Sequence, residues 1–245
     1  MPQTFVFSSP AGLPFIDPNG ALRRWLAWWW PPLDEDQHGA DLPGPEEITL
    51  RDGTAAWIRP LTPADRELHA AGYKTLSSES KFHRFLTPMP NLSPQLLDQL
   101  VDGVDGVDHI AYYVFVDGQE SALPVAVGRI VRDPDHPDTA DIAVTVQDAC
   151  QGRGIATALL RILVARRPEG VVRLLTLVDE DNEASLAMLK NLGPHTMTLR
   201  GGVYEVRVNL VGEDVDQLAE LPEQDPPADW RVKLRARDFV CPWGA

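Results

Sequence analysis

Along residues 46–210 the apolar positions follow two periodicities, and the order in which these alternate predicts both strands and helices. Ile48-Thr49-Leu50 and Ala55-Ala56-Trp57-Ile58 are short β-type runs separated by Arg51-Asp52-Gly53-Thr54. The Asp-Gly pair predicts a hairpin turn, because glycine accepts positive φ. Thr62-Pro63-Ala64-Asp65 reads as an N-cap with proline in the first helical position, opening a helix to about Leu76. A second helix is predicted over 80–86. Ser93-Pro94-Gln95-Leu96 opens a third, which ends near Gly103. Three β-rich runs follow at 110–116, 125–131 and 139–146, and their short connections predict an antiparallel meander.

The pattern then changes. Residues 154–166 carry Ile155, Leu159, Ile162 and Leu163 at helical spacing, which predicts an amphipathic helix. Residues 171–178 are almost continuously apolar, as expected of a central strand buried on both faces. A helix is predicted over 182–192, stopped by Gly193, and a last strand pair over 196–199 and 203–210 turns at Gly201-Gly202. No internal repeat is present. The two ends read differently from this middle. Residues 1–45 are rich in Pro and Gly and carry Trp25-Leu26-Ala27-Trp28-Trp29-Trp30, followed by the helix-ending Pro31-Pro32. Residues 213–229 contain seven acids, three prolines and no Lys or Arg, and read as a solvated linker before a short aromatic end. The division expected is therefore an extension at 1–45, a domain at 46–210, and an acidic linker with a terminal segment at 211–245. The Trp cluster is expected to pack against the domain and is a candidate surface for homo-oligomer formation.

Charge and composition narrow the function classes. A formal net charge of −14 argues against nonspecific nucleic-acid binding, which needs clustered Lys and Arg, and suits a basic partner or an amine. The two cysteines, Cys150 and Cys241, complete neither a disulfide framework nor a Cys-rich zinc site, so no metal is expected. The first residues lack the basic start and apolar core of a signal peptide. The Trp-rich run is far shorter than the roughly 20 residues of a membrane span, so a cytoplasmic location is expected.

The strongest chemical feature is the stretch from Val144-Thr145-Val146 through Gln151-Gly152-Arg153-Gly154-Ile155-Ala156 to Thr157. A strand enters a glycine-containing loop, which enters a helix. Helix starts expose unsatisfied N–H groups and the positive end of the dipole, and so attract phosphate anions. Gly152 and Gly154 remove side-chain bulk, Ala156 is small, and Arg153 is positioned to add a charge-assisted contact. The stretch is not a P-loop, which needs a Lys-Ser/Thr ending. It is not Gly-x-Gly-x-x-Gly either, because position 157 is Thr.

Gln151-Gly152-Arg153-Gly154-Ile155-Ala156 resembles the Gln/Arg-x-x-Gly-x-Gly/Ala signature of the GNAT acyltransferase superfamily at every constrained position. The resemblance covers about 48–210. It implies an α+β fold with a mixed, mostly antiparallel twisted sheet and a splayed central strand pair flanked by helices. It also implies acetyl-CoA as co-substrate, its pyrophosphate on residues 151–157 and its pantetheine arm on the backbone of Val144, Thr145 and Val146. Asn182 fits the position where the family places an Asn near the cofactor arm, and is equally an N-cap candidate. More narrowly, Leu76-Ser77-Ser78-Glu79-Ser80-Lys81-Phe82-His83-Arg84-Phe85 and Thr139-Ala140-Asp141-Ile142-Ala143-Val144 resemble the Pat-like bacterial protein-lysine acetyltransferases.

Acyl transfer to an amine needs a general base, because a lysine ε-amine is protonated at neutral pH. Asp141 stands where that branch commonly has Glu, and in an apolar strand its carboxyl is expected to be raised by desolvation. Its shorter side chain favours a relayed water. His83 and His109 are secondary candidates, and Asp148 reads as a turn or cap residue. The Tyr that many members carry seven residues after the Asn is Leu189 here, and the usual Gly-Phe is Gly193-Pro194. These residues point to an N-acetyltransferase acting on a protein lysine. Small-amine acetylation and a non-catalytic acyl-CoA sensor are the alternatives.

Overall fold

The computed structural model describes residues 44–116 and 123–210, together with the backbone of β1 (Val6–Ser8) and β2 (Pro14–Ile16), which pair antiparallel. The Trp25 to Trp30 run and the acidic linker lie outside the described residues. The first hairpin, β3 (Glu46–Thr49) and β4 (Ala55–Pro60), turns at Gly53 with φ 81°. A short 3-10 turn at Pro63–Asp65 leads into α1 (Arg66–Lys74), and α2 (Ser78–Phe85) follows. Helix α2 begins two residues earlier than its periodicity predicts, because Ser77 caps it by accepting the Ser80 N–H at 3.1 Å. Next comes α3 (Pro94–Leu97), continued by a π-type turn at Asp98–Asp102 up to Gly103.

Strands β5 (His109–Val116), β6 (Ala126–Arg132) and β7 (Thr139–Val146) form the meander. They are followed by α4 (Ile155–Ala165), β8 (Arg173–Asp179), α5 (Glu183–Lys190), β9 (His195–Arg200) and β10 (Val203–Asn209). The main sheet runs β3-β4-β5-β6-β7-β8-β10-β9. Every described neighbour pair in it is antiparallel except β7 with β8, which is parallel, giving the mixed α+β sheet expected from the sequence.

Two apolar clusters sandwich the sheet. On one face Leu159 and Leu163 of α4 and Leu186 and Leu189 of α5 pack on Tyr112, Ile130, Ile142, Leu174 and Val206. On the other, Tyr73, Phe85 and Leu96 from α1 to α3 and Leu100 from the π-type turn pack on Tyr113 and Phe115. No residue of β8 belongs to this second cluster. That corrects the expectation of a strand buried on both faces: Leu174, Thr176 and Val178 are buried, whereas Leu175 and Leu177 are half-buried. Helix α4 lies so close to β6 that a Cβ on Gly128 would sit 2.8 Å from both Leu159 and Leu163. Gly128→Ala should therefore destabilise the fold by about 1–3 kcal/mol through overpacking, read as a lower urea midpoint at unchanged slope.

Candidate functional site

Strands β7 and β8 stay in register for two residues only, Thr139 with Arg173 and Ala140 with Leu174, and then diverge. Beyond the fork β7 remains paired to β6 and β8 to β10, so each strand keeps one edge without a strand partner. Thr176 Oγ1 donates to Ile142 O at 3.1 Å just past the split, which satisfies one carbonyl there and leaves the strands apart. The gap is a cavity of about 420 Å³. Asp141, Val144, Thr145 and Val146 line it from β7, and Thr176, Leu177 and Val178 from β8.

The loop after β7 closes one end. A 3-10 turn at Asp148–Cys150 carries the chain to Gln151, and the two glycines that follow are left-handed, Gly152 at φ 77° and Gly154 at φ 84°. Gly154 is the N-cap of α4, so no side chain caps that helix, and no acid lies in its first turn. Helical bonding there starts with Ala158 N–H to Gly154 O, which leaves the preceding N–H groups at a positive helix end. Gln151, Gly152, Gly154, Ile155, Ala156 and Thr157 all line the cavity. Arg153 does not. Its Nε donates to Asp52 Oδ2 at 3.0 Å and its Nη2 to Thr54 Oγ1 at 2.9 Å, so the guanidinium is held by the β3–β4 turn rather than directed at the cavity. Hydrogen bonds from Thr54 and Arg153 hold the Asp52 carboxyl down at about 2. The basic residue that does line the cavity near this loop is Arg51, which the sequence pattern marked only as part of a turn. No spacing rule links it to Gly154, because only the tertiary fold brings them together.

Helix α2 forms a further wall. Asp148 accepts from the Ser77 N–H at 2.9 Å and from the Ser77 and Ser80 hydroxyls at 2.7 Å each. It lies in a turn, one of the two readings its sequence offered, and its carboxylate braces Ser77, the residue that caps α2. Gln147 adds a bond to Gly72 O at 2.9 Å and accepts from Thr75 Oγ1 at 2.8 Å. Thus anchored, α2 presents His83 and Arg84 to the cavity. His83 Nε2 lies 3.8 Å from Asp179 Oδ1. His109 does not line the cavity. It is buried on β5, 3.3 Å from Arg129 Nη1, and burial together with Arg129 pushes its pKa down to about 3.

Asp141 is 1 % exposed on β7, and its charge acts on both Arg84 and Arg129. Asn182 lines the cavity and also caps α5, its Oδ1 accepting the Ser185 N–H at 3.1 Å. Leu189 completes the wall with an apolar side chain.

This geometry agrees with the comparisons to known proteins. Residues 73–193 match the family model described as "Acetyltransferase (GNAT) family". The GNAT domain of S. lividans PAT is 30% identical, with a TM-score of 0.59, and the match covers 68% of this chain and 97% of that one. The chain belongs to the GNAT family. Among curated relatives, acetyltransferase Pat of Mycolicibacterium smegmatis is 32% identical over 151 residues, which is 61% of this chain and 44% of that protein. Acetyltransferase PA5475 of Pseudomonas aeruginosa is 35% identical over 121 residues, 49% of this chain and 64% of that one. The chain thus spans less than two thirds of the length of either curated relative.

The contact between the GNAT loop and α2 has a measurable energy. Burial alone would raise the Asp148 carboxyl, but the bonds from Ser77 and Ser80 outweigh it and hold the pKa below the ordinary value. Asp148→Ala should cost about 1 kcal/mol at neutral pH, the scale of a net hydrogen-bond contribution at a partly exposed site. The depressed carboxyl contributes fully above its unfolded pKa of about 4 and loses that contribution as pH falls through the folded value. Urea titrations of the parent and variant should therefore converge in acid.

Proposed function

We propose that the chain is an acyl-CoA-dependent N-acetyltransferase moving the acetyl group of acetyl-CoA to a primary amine, a protein lysine, by direct attack in a ternary complex. The fork between β7 and β8 carries this reading. It joins a strand edge without a strand partner to a helix start that has two left-handed glycines and no capping side chain, on one cavity. These groups fit an acyl-CoA chemically. Backbone N–H and C=O groups of Val144 and Val146, which alternate with the β6-facing groups of Thr145, suit the amides of a pantetheine arm, and the N–H groups at Ile155, Ala156 and Thr157 suit a pyrophosphate. Gly152 and Gly154 leave room for close approach, Gln151 flanks the loop, and Asn182 supports the arm from the β8 side. The transferase domain of this reading is 46–210, with 1–45 and 211–245 as its extensions.

In the transfer, Asp141 accepts the proton of the attacking ammonium through a relayed water. The amine nitrogen then bonds to the thioester carbonyl carbon, the carbon–sulfur bond breaks, and the second proton lost from nitrogen passes to the departing thiolate through solvent, leaving the amide and free thiol. Leu189 supplies no hydroxyl, so the thiolate departs on hydrogen-bond stabilisation alone, as suits its modest pKa. A lysine acceptor is supported by the resemblance of residues 76–85 and 139–144 to protein-lysine acetyltransferases and by the net charge of −14. A small amine is the alternative acceptor. One observation favours a non-catalytic acyl-CoA sensor: Asp141 already balances Arg84 and Arg129, as a structural carboxylate would.

Thiol release from acetyl-CoA, measured across lysine-bearing proteins and small amines, separates these readings. Asp141→Asn should lower kcat about 10²-fold or more with acetyl-CoA affinity held, measured at a temperature where the variant is folded, because loss of the charge beside buried Arg84 and Arg129 also lowers the melting temperature. Loss with His83→Ala instead would move the base to His83, which lines the same cavity. Binding without turnover on any acceptor would select the sensor.

A further inference from the structure

The two charged residues of the β3–β4 turn are used differently. Asp52 is satisfied on the spot, since the Thr54 N–H donates to it at 3.0 Å and Arg153 Nε at 3.0 Å. The second arm of Arg153 reaches Thr54 Oγ1 at 2.9 Å, so one guanidinium ties the turn to the glycine loop at two points. Arg51, the preceding residue, lines the cavity. Its Cβ, backbone N and Cδ would lie 3.0, 3.7 and 3.9 Å from a Cβ on Gly154, so its side chain runs along the start of α4. Among the described residues its guanidinium has no anionic or hydrogen-bonding partner.

This arrangement has an electrostatic logic. An ionised Asp52 beside the loop would repel a phosphate, and Arg153 neutralises it. The pairing occupies the arginine that lies within the glycine loop and leaves the arginine of the turn with a guanidinium that suits phosphate oxygens geometrically. We infer that Arg51 binds a phosphate group of the acyl-CoA, and that the Arg153–Asp52 pair is the latch that holds the turn in place to present it. This inference rests on the acyl-CoA reading of the cavity.

The test is calorimetry on the full chain with acetyl-CoA and with acetyl-dephospho-CoA, which lacks the 3′-phosphate. Arg51→Ala should weaken acetyl-CoA binding about tenfold or more, as expected for a lost charge-assisted contact, with an unchanged melting temperature. Arg51→Lys should recover part of the loss. Equal loss with both ligands assigns Arg51 to the pyrophosphate. Loss confined to acetyl-CoA, down to the affinity of the dephospho ligand, assigns it to the 3′-phosphate. Parent-like affinity in Arg51→Ala would overturn the inference while leaving the acyl-CoA reading intact. So would equal loss in the Ala and Lys variants with a lowered melting temperature, which is the behaviour of a structural residue. If the parent chain bound neither ligand, the acyl-CoA reading itself would fall, and the role of Arg51 with it.

Discussion

The candidate site depends on an interaction that stops early. Parallel strands hold together through an evenly spaced ladder, and β7 and β8 make that ladder over two residue pairs before they part. Backbone groups buried in a sheet must find partners. Here each strand is already paired on its far side, β7 to β6 and β8 to β10, so the split exposes two inner edges without unravelling the sheet. Thr176 satisfies the first carbonyl past the fork. Beyond it, fork-facing backbone groups of β7 and β8 lie beside apolar side chains such as Leu177, Val178 and Met188, a surface suited to an extended ligand carrying amides on an aliphatic chain.

The surrounding elements keep this opening in shape. Helix α4 is pressed against β6 at Gly128, which fixes the position of its own N-terminus at the mouth of the fork. On the opposite face, Asp148 and Gln147 tie the loop after β7 to α1 and α2. A third tie, Arg153 to Asp52 and Thr54, joins the same loop to the β3–β4 turn. One short connection is therefore held by three elements far apart in sequence. This rigidity matters for acyl transfer, where reacting groups must meet in a narrow range of geometries.

The parts of this design that are local were legible in the sequence. The glycine loop, the strand before it and the helix after it are contiguous, and their residue types follow from turn and helix-start chemistry at Gly152, Gly154 and Ala156. The parallel neighbour of β7, and the mixed sheet that results, came from resemblance to a family rather than from periodicity. What the sequence did not show is tertiary. Arg153 sits in the loop by sequence, but the β3–β4 turn sets its direction. Asp141 lies in an apolar stretch by sequence, yet Arg84 from α2 and Arg129 from β6 act on its charge. Arg51 carried no motif. In each case a partner from a distant segment decides the role, and no spacing along the chain encodes that partner.

Hydrogen–deuterium exchange of the full chain with and without acetyl-CoA tests the central claim most directly, because the claim concerns backbone groups. Occupation of the fork predicts slowed exchange at the amides of residues 142–146 and 152–157, with little change in β9 and β10. Acetyl-CoA binding that left those two stretches unchanged, or protected a different region, would contradict a site between β7 and β8.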